Sequence, residues 1–282
     1  IFEKKILELV KAKFSVACNS ATSALHLACL SLNLKPKDIV WTVPNTFVAS
    51  VNCAINCGAK VDFVDIDPDT WNISIEKLEE KLRLAKKRRM LPKILIPVHF
   101  AGQPTEQKKI FLLAKKYKFK IIEDASHSIG GKHLKEPVGS CKWSDITVFS
   151  FHPVKIITTG EGGMALTNNK NLAEKMKVYR ANGLIREIKN NDKPWYYKHI
   201  SSGYNYRMSD ISAALGLSQI KRLKKFVAKR NLVASIYKNN LDNLPIKFQK
   251  IEKYNLSSYH LFVIQLDLTK TKYSYKFIFN KL

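Results

Sequence analysis

Long apolar runs are missing from this sequence of 282 residues. No stretch approaches the roughly 20 consecutive apolar residues that a membrane-spanning helix needs. The first residues, IFEKKILELVKAK, form a charged helical pattern without the apolar centre of a signal peptide. The sequence therefore predicts a cytoplasmic protein that does not insert into a membrane.

Paired cysteine motifs are also missing. The five cysteines are odd in number and lie mostly within apolar, helix-like stretches, so a disulfide framework is not expected. Cys53 and Cys57 stand one helical turn apart, but no paired Cys or His motif supplies the two further ligands that a metal ion would need. We expect these side chains to be small buried hydrophobic groups and predict no metal site.

Arginine is scarce in a chain that is strongly basic. Only eight of its 48 basic residues are Arg, although the formal net charge is +25. The lysines are scattered over helix faces, whereas a nucleic-acid surface gathers its charge in one stripe or patch. We therefore expect no nucleic-acid partner, and only a modest attraction for anionic small molecules.

Helical and strand patterns alternate along the chain from residue 20 onward. The predicted helices cover 22–32, 45–57, 74–87, 105–117, 172–180 and 209–239, and the predicted strands cover 38–43, 60–66, 93–98, 120–123, 145–151, 163–167 and 258–268. This alternation indicates an α/β fold with a mainly parallel sheet covered by helices on both faces. No G-x-G-x-x-G turn follows the first strand, which argues against a dinucleotide-binding dehydrogenase.

Lys155 stands in the segment SFHPVK and is followed by the Gly-rich TTGEGG. A lysine amine attacks an aldehyde only when its neutral form is accessible, and burial provides that. The apolar neighbours Val154, Ile156 and Ile157 are consistent with such an environment. The pattern is typical of a lysine that forms a Schiff base.

Asp124 follows the short apolar strand KIIE. Its carboxylate would emerge at the C-terminal end of a parallel strand, where open α/β sheets bind their ligands. A pyridine ring works as an electron sink only when a carboxylate keeps its nitrogen protonated. Together the lysine, the strand-end aspartate, a nearby serine and the Gly-rich turn predict pyridoxal 5'-phosphate as the cofactor.

The motif NSAT, residues 19–22, precedes an apolar helix. The free backbone amides and the positive dipole end of such a helix suit the phosphate of the cofactor. Asn and Ser are equally favoured as ordinary helix N-caps, so the residues alone leave both interpretations open.

Four blocks in this order carry a resemblance to a known family: CNSATSAL, EDASH, FSFHPVK with TTGEGG, and GYNYRMSD. The chain resembles the DegT/DnrJ/EryC1/StrS family of pyridoxal-phosphate nucleotide-sugar aminotransferases, from Phe2 to about Leu223 and weakly on to Leu268. The resemblance implies the aspartate aminotransferase-like fold of the PLP-dependent transferases, fold type I. It also implies a large cofactor-binding domain over residues 1–222 and a linking helix with an incomplete small C-terminal domain over 223–282.

The same resemblance assigns cofactor contacts. Ala21 and Thr22 are implied to bind the phosphate, with Ser150 as a third contact. Phe47 is implied to stack on the ring of the cofactor. Without the resemblance, Ser150 is equally explained as a strand-end hydrogen bond and Phe47 as a core aromatic.

The resemblance gives His127 a role in catalysis, either at the phenolic oxygen of the cofactor or in bracing Asp124, although a lone His is more often structural. Asn205 is implied to reach across a dimer interface to the cofactor phosphate of the other subunit. Arg207 is open to two interpretations, the binding of an anionic substrate group or an ion pair with Asp210.

The resemblance therefore implies a homodimeric aminotransferase with shared active sites, which uses L-glutamate as donor and a nucleotide-linked 4-keto-6-deoxy sugar as acceptor. Some family members are dehydratases with a histidine in place of the lysine, and Lys155 argues against that activity. The segment 194–202 and the CNSATSAL block most resemble the branch that aminates C4 of a UDP-linked sugar in pseudaminic acid biosynthesis. A dTDP-sugar aminotransferase and an inactive fragment that retains the fold are the alternatives.

Overall fold

The structure is a computed structural model that describes residues 1–186 and 195–282. Its α-helices are α1 (Phe2–Val10), α2 (Ala21–Ser31), α3 (Ala49–Ile55), α4 (Ile75–Lys87), α5 (Gln107–Tyr117), α6 (Lys170–Arg180), α7 (Asp210–Ile220), α8 (Leu223–Leu241) and α9 (Tyr275–Lys281). Its strands are β1 (Phe14–Cys18), β2 (Ile39–Thr42), β3 (Lys60–Phe63), β4 (Ile94–Leu95), β5 (Lys120–Asp124), β6 (Lys132–His133), β7 (Glu136–Pro137), β8 (Ile146–Ser150), β9 (Gly163–Thr167), β10 (Leu184–Ile185), β11 (Lys198–His199), β12 (Ile246–Phe248), β13 (Asn255–Leu256) and β14 (Ile264–Leu266).

A seven-stranded sheet with the order β1-β9-β8-β5-β4-β2-β3 forms the centre of the molecule. The strands from β8 to β3 run parallel to one another, and β9 runs antiparallel to both β8 and β1. Successive residues such as Val148 and Phe149 of β8 belong to different core clusters, because side chains alternate between the two faces of a strand. The predicted fold is confirmed, with a mainly parallel sheet that is covered by helices on both faces.

The ends of three strands lie together at one edge of this sheet. β5 and β8 are parallel neighbours that end at Asp124 and Ser150, and β9 begins at Gly163, which pairs with Ser150. Gly163 also pairs with Cys18, the last residue of β1, so that the beginning of α2 lies at the same edge. This is the carboxyl edge of the parallel strands, where α/β sheets bind ligands.

Gly163 allows the close approach of α2 to β9. A Cβ atom at this position would lie 2.3 Å from the amide nitrogen of Ala21 and 2.4 Å from the carbonyl carbon of Ser20. No side chain fits in that space, because both neighbouring atoms belong to the backbone. The glycine of the TTGEGG block is therefore needed to place the N-terminus of α2.

The helix predicted over 45–57 begins later, at Ala49. Asn45 donates from its side chain to the carbonyl of Trp71, and the hydroxyl of Thr46 donates to that of Ser50. These local polar contacts compete with helical hydrogen bonds, as Asn and Thr side chains often do at helix starts. Residues 44–48 consequently form a loop at the carboxyl edge of the sheet.

The helix predicted over 209–239 is two helices, α7 and α8. At the junction the amide of Arg222 donates to the carbonyl of Gln219, three residues back, which interrupts the regular four-residue ladder. Ser209 caps α7 by accepting a hydrogen bond from the amide of Ser212. The predicted domain boundary at residue 222 falls at this junction and stays a prediction.

The strand predicted over 258–268 is limited to β14. The preceding backbone is held by other partners, because Ser258 donates to the carbonyl of Gly102 and Arg230 donates to the carbonyls of Tyr259 and His260. Tyr259 also has a positive φ of 45°, which no regular strand accommodates. Among the described residues, no helix is both long enough and apolar enough to cross a membrane.

Candidate active site

A cavity of about 500 Å³ lies at the carboxyl edge of the sheet. It is lined by parts of the chain that are far apart in sequence: the start of α2, the loop before α3, the end of β5, the end of β8 and the turn that follows β8. Seven of the nine predicted site residues line it: Ala21, Thr22, Phe47, Asp124, His127, Ser150 and Lys155. The structure thus brings most of the predicted constellation together.

Lys155 lies in a tight turn in which its amide donates to the carbonyl of His152. The side chain is half-buried, and the next two residues, Ile156 and Ile157, anchor the turn in the core. Burial lowers the pKa of the Lys155 amine below its usual range, and the Asp124 carboxylate partly opposes this shift. The neutral amine, which is the nucleophile, is therefore easier to reach than on a solvated lysine.

The carboxylate of Asp124 is buried and held through both oxygens. Oδ2 accepts a hydrogen bond of 2.6 Å from the hydroxyl of Ser50, and Oδ1 accepts one of 3.1 Å from the amide of Ser126. Ser50 itself is fully buried on α3. These donors fix the plane of the carboxylate at the wall of the cavity.

The ring of His127 stacks at a tilt on the ring of His260, with 4.4 Å between the ring centroids. Burial, with a smaller contribution from the charge of Lys155, lowers the pKa of His127 to about 3. Nδ1 of His127 is buried and has no hydrogen-bond partner among the described residues. His127 is therefore a neutral imidazole with an unused polar atom beside the cavity.

The N-terminus of α2 lines one end of the cavity, and the positive end of a helix favours an anion there. Ser20 caps the helix by accepting from the amide of Ser23, so the amides of Ala21 and Thr22 lie in the first turn, which has no partners within the helix. The hydroxyl of Ser150 lies at the adjoining end of β8. The capping function and the free amides coexist, and the two interpretations of the NSAT motif are compatible.

Phe47 lies outside any helix, on the loop before α3, and its side chain is 72% exposed at the cavity. The interpretation as a core aromatic is therefore wrong. An exposed aromatic ring at the wall of a cavity is available for a flat ligand. Its stacking on the cofactor stays a prediction.

Asn205 and Arg207 do not line the cavity of their own chain. Both are exposed and lie on an extended segment, where Asn205 bridges to Ala181 and Arg207 bridges to Cys18. Arg207 and Asp210, which both lie in the described part of the chain, form no ion pair. The structure therefore does not show the contact that the ion-pair interpretation of Arg207 predicts. The predicted contact of Asn205 with a second subunit stays a prediction.

The aromatic segment that resembles the pseudaminic acid branch is partly described. The segment 194–202 begins at Pro194, which lies outside the described residues, whereas Trp195 and Tyr197 are exposed at 70% and 51%.

The five cysteines are free thiols, and all but Cys57 are buried. Sulfur atoms of Cys29 and Cys53 lie 3.7 Å apart, which is a contact between two thiols.

Sequence reasoning missed Ser50 and His260, which touch Asp124 and His127 respectively. Ser50 stands three residues after Phe47 in the NTFVAS segment, and the helix predicted over 45–57 would have placed both on one face, which is a signal that could have found Ser50. His260 belongs to a segment 133 positions away from His127 and carries no local signal, since only the fold brings the two rings together.

Known proteins match this chain over nearly its whole length. Residues 1–279 match the profile of the DegT/DnrJ/EryC1/StrS aminotransferase family. A UDP-4-amino-4,6-dideoxy-N-acetyl-beta-L-altrosamine transaminase from Campylobacter jejuni is 42% identical over 266 residues, which cover 94% of this chain and 68% of that protein. A GDP-perosamine synthase from Escherichia coli O157:H7 is 34% identical over 270 residues, covering 96% of this chain and 69% of the synthase.

The fold also matches solved structures. The structure of Helicobacter pylori PseC, an aminotransferase involved in the biosynthesis of pseudoaminic acid, superposes with a TM-score of 0.84 at 31% identity. The match covers 95% of this chain and 69% of PseC.

Proposed function

The chain belongs to the DegT/DnrJ/EryC1/StrS aminotransferase family, and we propose that it moves an amino group from L-glutamate to the C4 ketone of a UDP-linked 4-keto-6-deoxy sugar in pseudaminic acid biosynthesis. Its cofactor is pyridoxal 5'-phosphate, and its activity class is that of a sugar aminotransferase. The observation that carries the proposed chemistry is the meeting of Lys155, Asp124 and His127 in one cavity beside the start of α2.

The polar groups around the cavity fit the proposed roles toward this cofactor. The amides of Ala21 and Thr22 and the hydroxyl of Ser150 would hold the phosphate, which suits the positive end of a helix. His127 lines the cavity, and its buried Nδ1 has no hydrogen-bond partner among the described residues. Asp124 would hold the ring nitrogen, and Phe47 would cover one face of the ring.

When bound, pyridoxal phosphate supplies an aldehyde that captures amines and a ring that accepts electron density. Lys155 would bind the aldehyde of the cofactor through its amine. When that amine is free, it would move the proton at the carbon that bears the amino group, as general base and acid. The lowered pKa of Lys155 favours removal of this proton, because it increases the fraction of neutral amine.

His127 would act as a neutral hydrogen-bonding group. Its pKa of about 3 leaves the imidazole uncharged at physiological pH, so it does not compete with Lys155 for a negative partner. The apolar side chains of Leu25, Val98 and Phe100 line the same cavity and limit the access of water. Exclusion of water strengthens each polar contact in the site.

The substrate part of the proposal is supported by similarity. The Campylobacter jejuni transaminase, named for a UDP-linked sugar, shares 42% of its aligned residues with this chain, against 34% for the synthase named for a GDP-linked sugar. The exposed aromatic side chains of Trp195 and Tyr197 would offer flat surfaces to a sugar or a uracil ring. Arg207, which has no ion pair with Asp210, would bind an anionic group of the substrate.

We also propose that two copies of the chain form a homodimer, in which Asn205 of each subunit completes the phosphate site of the other. Its position supports this, because Asn205 is exposed and outside the cavity of its own chain. A cytoplasmic location is part of the same proposal, since the five cysteines are free thiols and a reducing compartment maintains that form.

Competition between substrates tests the assignment of the sugar nucleotide. UDP-linked, dTDP-linked and GDP-linked 4-keto-6-deoxy sugars are mixed in equal amounts with the cofactor-loaded protein and 15N-labelled L-glutamate. We expect most of the label in the UDP-linked product. Preference for another nucleotide would contradict the UDP assignment and leave the aminotransferase activity intact.

Absorbance of the loaded protein separates an enzyme from a chain that retains only the fold. A lysine-bound cofactor gives a yellow protein, and addition of L-glutamate removes the colour as the amino group is transferred. A protein that stays colourless after incubation with the cofactor would contradict the proposed activity of this chain.

A further inference from the structure

Ser50 is a buried hydroxyl that points at the carboxylate of Asp124. It lies on α3, is fully inaccessible to solvent, and its Oγ is 2.6 Å from Oδ2 of Asp124. An ionised carboxylate only accepts hydrogen bonds, so the hydroxyl of Ser50 donates.

The hydroxyl of Thr46 orients the hydrogen of Ser50 toward Asp124. Oγ1 of Thr46 lies 2.9 Å from Oγ of Ser50 and 3.3 Å from the carbonyl oxygen of Phe47. Thr46 has one hydrogen to give, and the shorter contact is to Ser50. The oxygen of Ser50 then accepts from Thr46, which leaves its own hydrogen for Asp124.

Both oxygens of Asp124 are therefore engaged from the protein side. The amide of Ser126 binds Oδ1 at 3.1 Å while Ser50 binds Oδ2. The carboxylate cannot rotate about its own axis without breaking one of these bonds. Only its remaining lone pairs are available to a ligand in the cavity.

The same short segment joins this pair of hydroxyls to the wall of the cavity. Phe47 lies between Thr46 and α3, and its exposed ring lines the cavity together with Asp124. Asn45 anchors the start of the segment through its bond to the carbonyl of Trp71. Residues 45–50 thus connect the aromatic ring at the wall of the cavity with the hydroxyl that binds Asp124.

We propose that Ser50, oriented by Thr46, is a positioning residue that holds the ionised carboxylate of Asp124 in the orientation needed to keep the ring nitrogen of pyridoxal phosphate protonated. This inference rests on the proposed role of Asp124 and adds that Ser50 and Thr46 orient the Asp124 carboxylate. A purely structural Ser50 would affect the stability of the fold but not the state of the ring nitrogen.

The ring nitrogen reports directly on this function. Holoenzyme is prepared with cofactor that is 15N-labelled in the ring, and its nitrogen chemical shift separates the protonated from the unprotonated form. In Ser50→Ala we expect the signal to move toward the unprotonated value. We also expect kcat to fall about 10- to 100-fold, the range for loss of one hydrogen bond to a charged group, with little change in KM for either substrate.

Two variants control for packing. Ser50→Thr keeps the hydroxyl and is expected to keep the wild-type nitrogen signal. Ser31→Ala removes another buried hydroxyl, which donates to the carbonyl of Ala28 within α2, far from Asp124 in the hydrogen-bond network. We expect Ser31→Ala to change neither the signal nor kcat.

A wild-type nitrogen signal in folded Ser50→Ala would overturn the inference, and so would equal loss of protonation in Ser50→Ala and Ser50→Thr. If Ser50→Ala fails to fold, Thr46→Val removes the outer hydroxyl at a half-buried position. The nitrogen signal should then move in the same direction by a smaller amount. An unchanged signal would contradict the proposal that Thr46 orients Ser50 toward Asp124. Asp124→Asn is measured in parallel, because an unchanged signal in that variant would refute the role of Asp124 itself.

Discussion

Lys155 is the residue on which the proposed chemistry depends. Reduction of the holoenzyme with borohydride should fix the cofactor on the peptide that contains Lys155. In Lys155→Ala we expect retained cofactor binding through the remaining contacts, no reductive labelling, and a loss of transamination of at least about 100-fold. The exposed Lys170 on α6 offers a control, since Lys170→Ala should label normally. Label on any other lysine would contradict the assignment.

The depressed pKa of His127 predicts a pH dependence of stability. The pKa is about 3 in the folded protein and close to 6.5 in the unfolded chain, so between these values the unfolded state binds the extra proton. Stability is therefore retained above about pH 6.5 and falls as the pH decreases toward 3. His127→Asn should flatten this decrease, by up to about 1.4 kcal/mol per pH unit, in urea unfolding measured at a series of pH values.

His199 provides the control for that measurement. It is exposed on β11, and His199→Asn should leave the slope of unfolding free energy against pH unchanged. An equal slope in wild-type protein and His127→Asn would contradict the predicted burial of a neutral imidazole. His260 contributes in the same direction, because burial and the neighbouring His127 lower its pKa to about 3 as well.

At the scale of elements, the contact between β9 and the start of α2 is the part of the fold that shapes the proposed phosphate site. Gly163→Ala would place a methyl group 2.3 Å from the amide nitrogen of Ala21, and backbone atoms there cannot move aside without displacing the helix. We expect a loss of at least about 2 kcal/mol in stability and weaker cofactor binding. Thermal unfolding and titration with the cofactor measure the two effects.

Gly160 gives a comparison for that prediction. An added Cβ at Gly160 meets no atom within 4 Å, so Gly160→Ala carries only the cost of its positive φ of 78°. A larger destabilisation in Gly163→Ala than in Gly160→Ala is expected. Equal losses in the two variants would mean that the close approach of α2 to β9 contributes little.

The elements that the sequence predicts well are those with a local cause. Ser74 caps α4 by accepting from the amide of Lys77, as its position before a charged helical pattern predicts. The buried run of β8 is likewise visible as an apolar stretch. The site follows from the same logic, because Asp124 and Ser150 each stand at the end of a strand.

The elements that the sequence predicts poorly depend on distant partners. β1 has no turn signal of its own and is defined by its pairing with β9, about 150 positions away. Residues 258–263 are apolar enough for a strand, but some of their backbone groups form hydrogen bonds with Gly102 and Arg230 instead of with a neighbouring strand. The contact between His127 and His260 has the same origin, since nothing in either segment indicates the other.

At the scale of the whole molecule, the proposal that the two subunits share their active sites predicts that two defective variants restore activity when they form a heterodimer. The Lys155→Ala chain lacks the amine in its own cavity but can contribute Asn205 to the cavity of its partner. The Asn205→Ala chain keeps the amine but cannot contribute Asn205. In a heterodimer of these variants, one of the two sites receives both wild-type residues and the other receives neither. Random exchange of subunits in an equal mixture should therefore restore about a quarter of wild-type activity in a symmetric dimer.

Two measurements make this outcome decisive. Each variant alone must be nearly inactive, and subunit exchange is verified with a mass tag on one of the two chains. If each chain instead contained a complete site, every cavity in the heterodimer would still carry a defect and no activity would return. Because Asn205 is exposed and lies outside the cavity of its own chain, we expect recovery, and its absence after verified exchange would contradict the shared site while leaving the role of Lys155 intact.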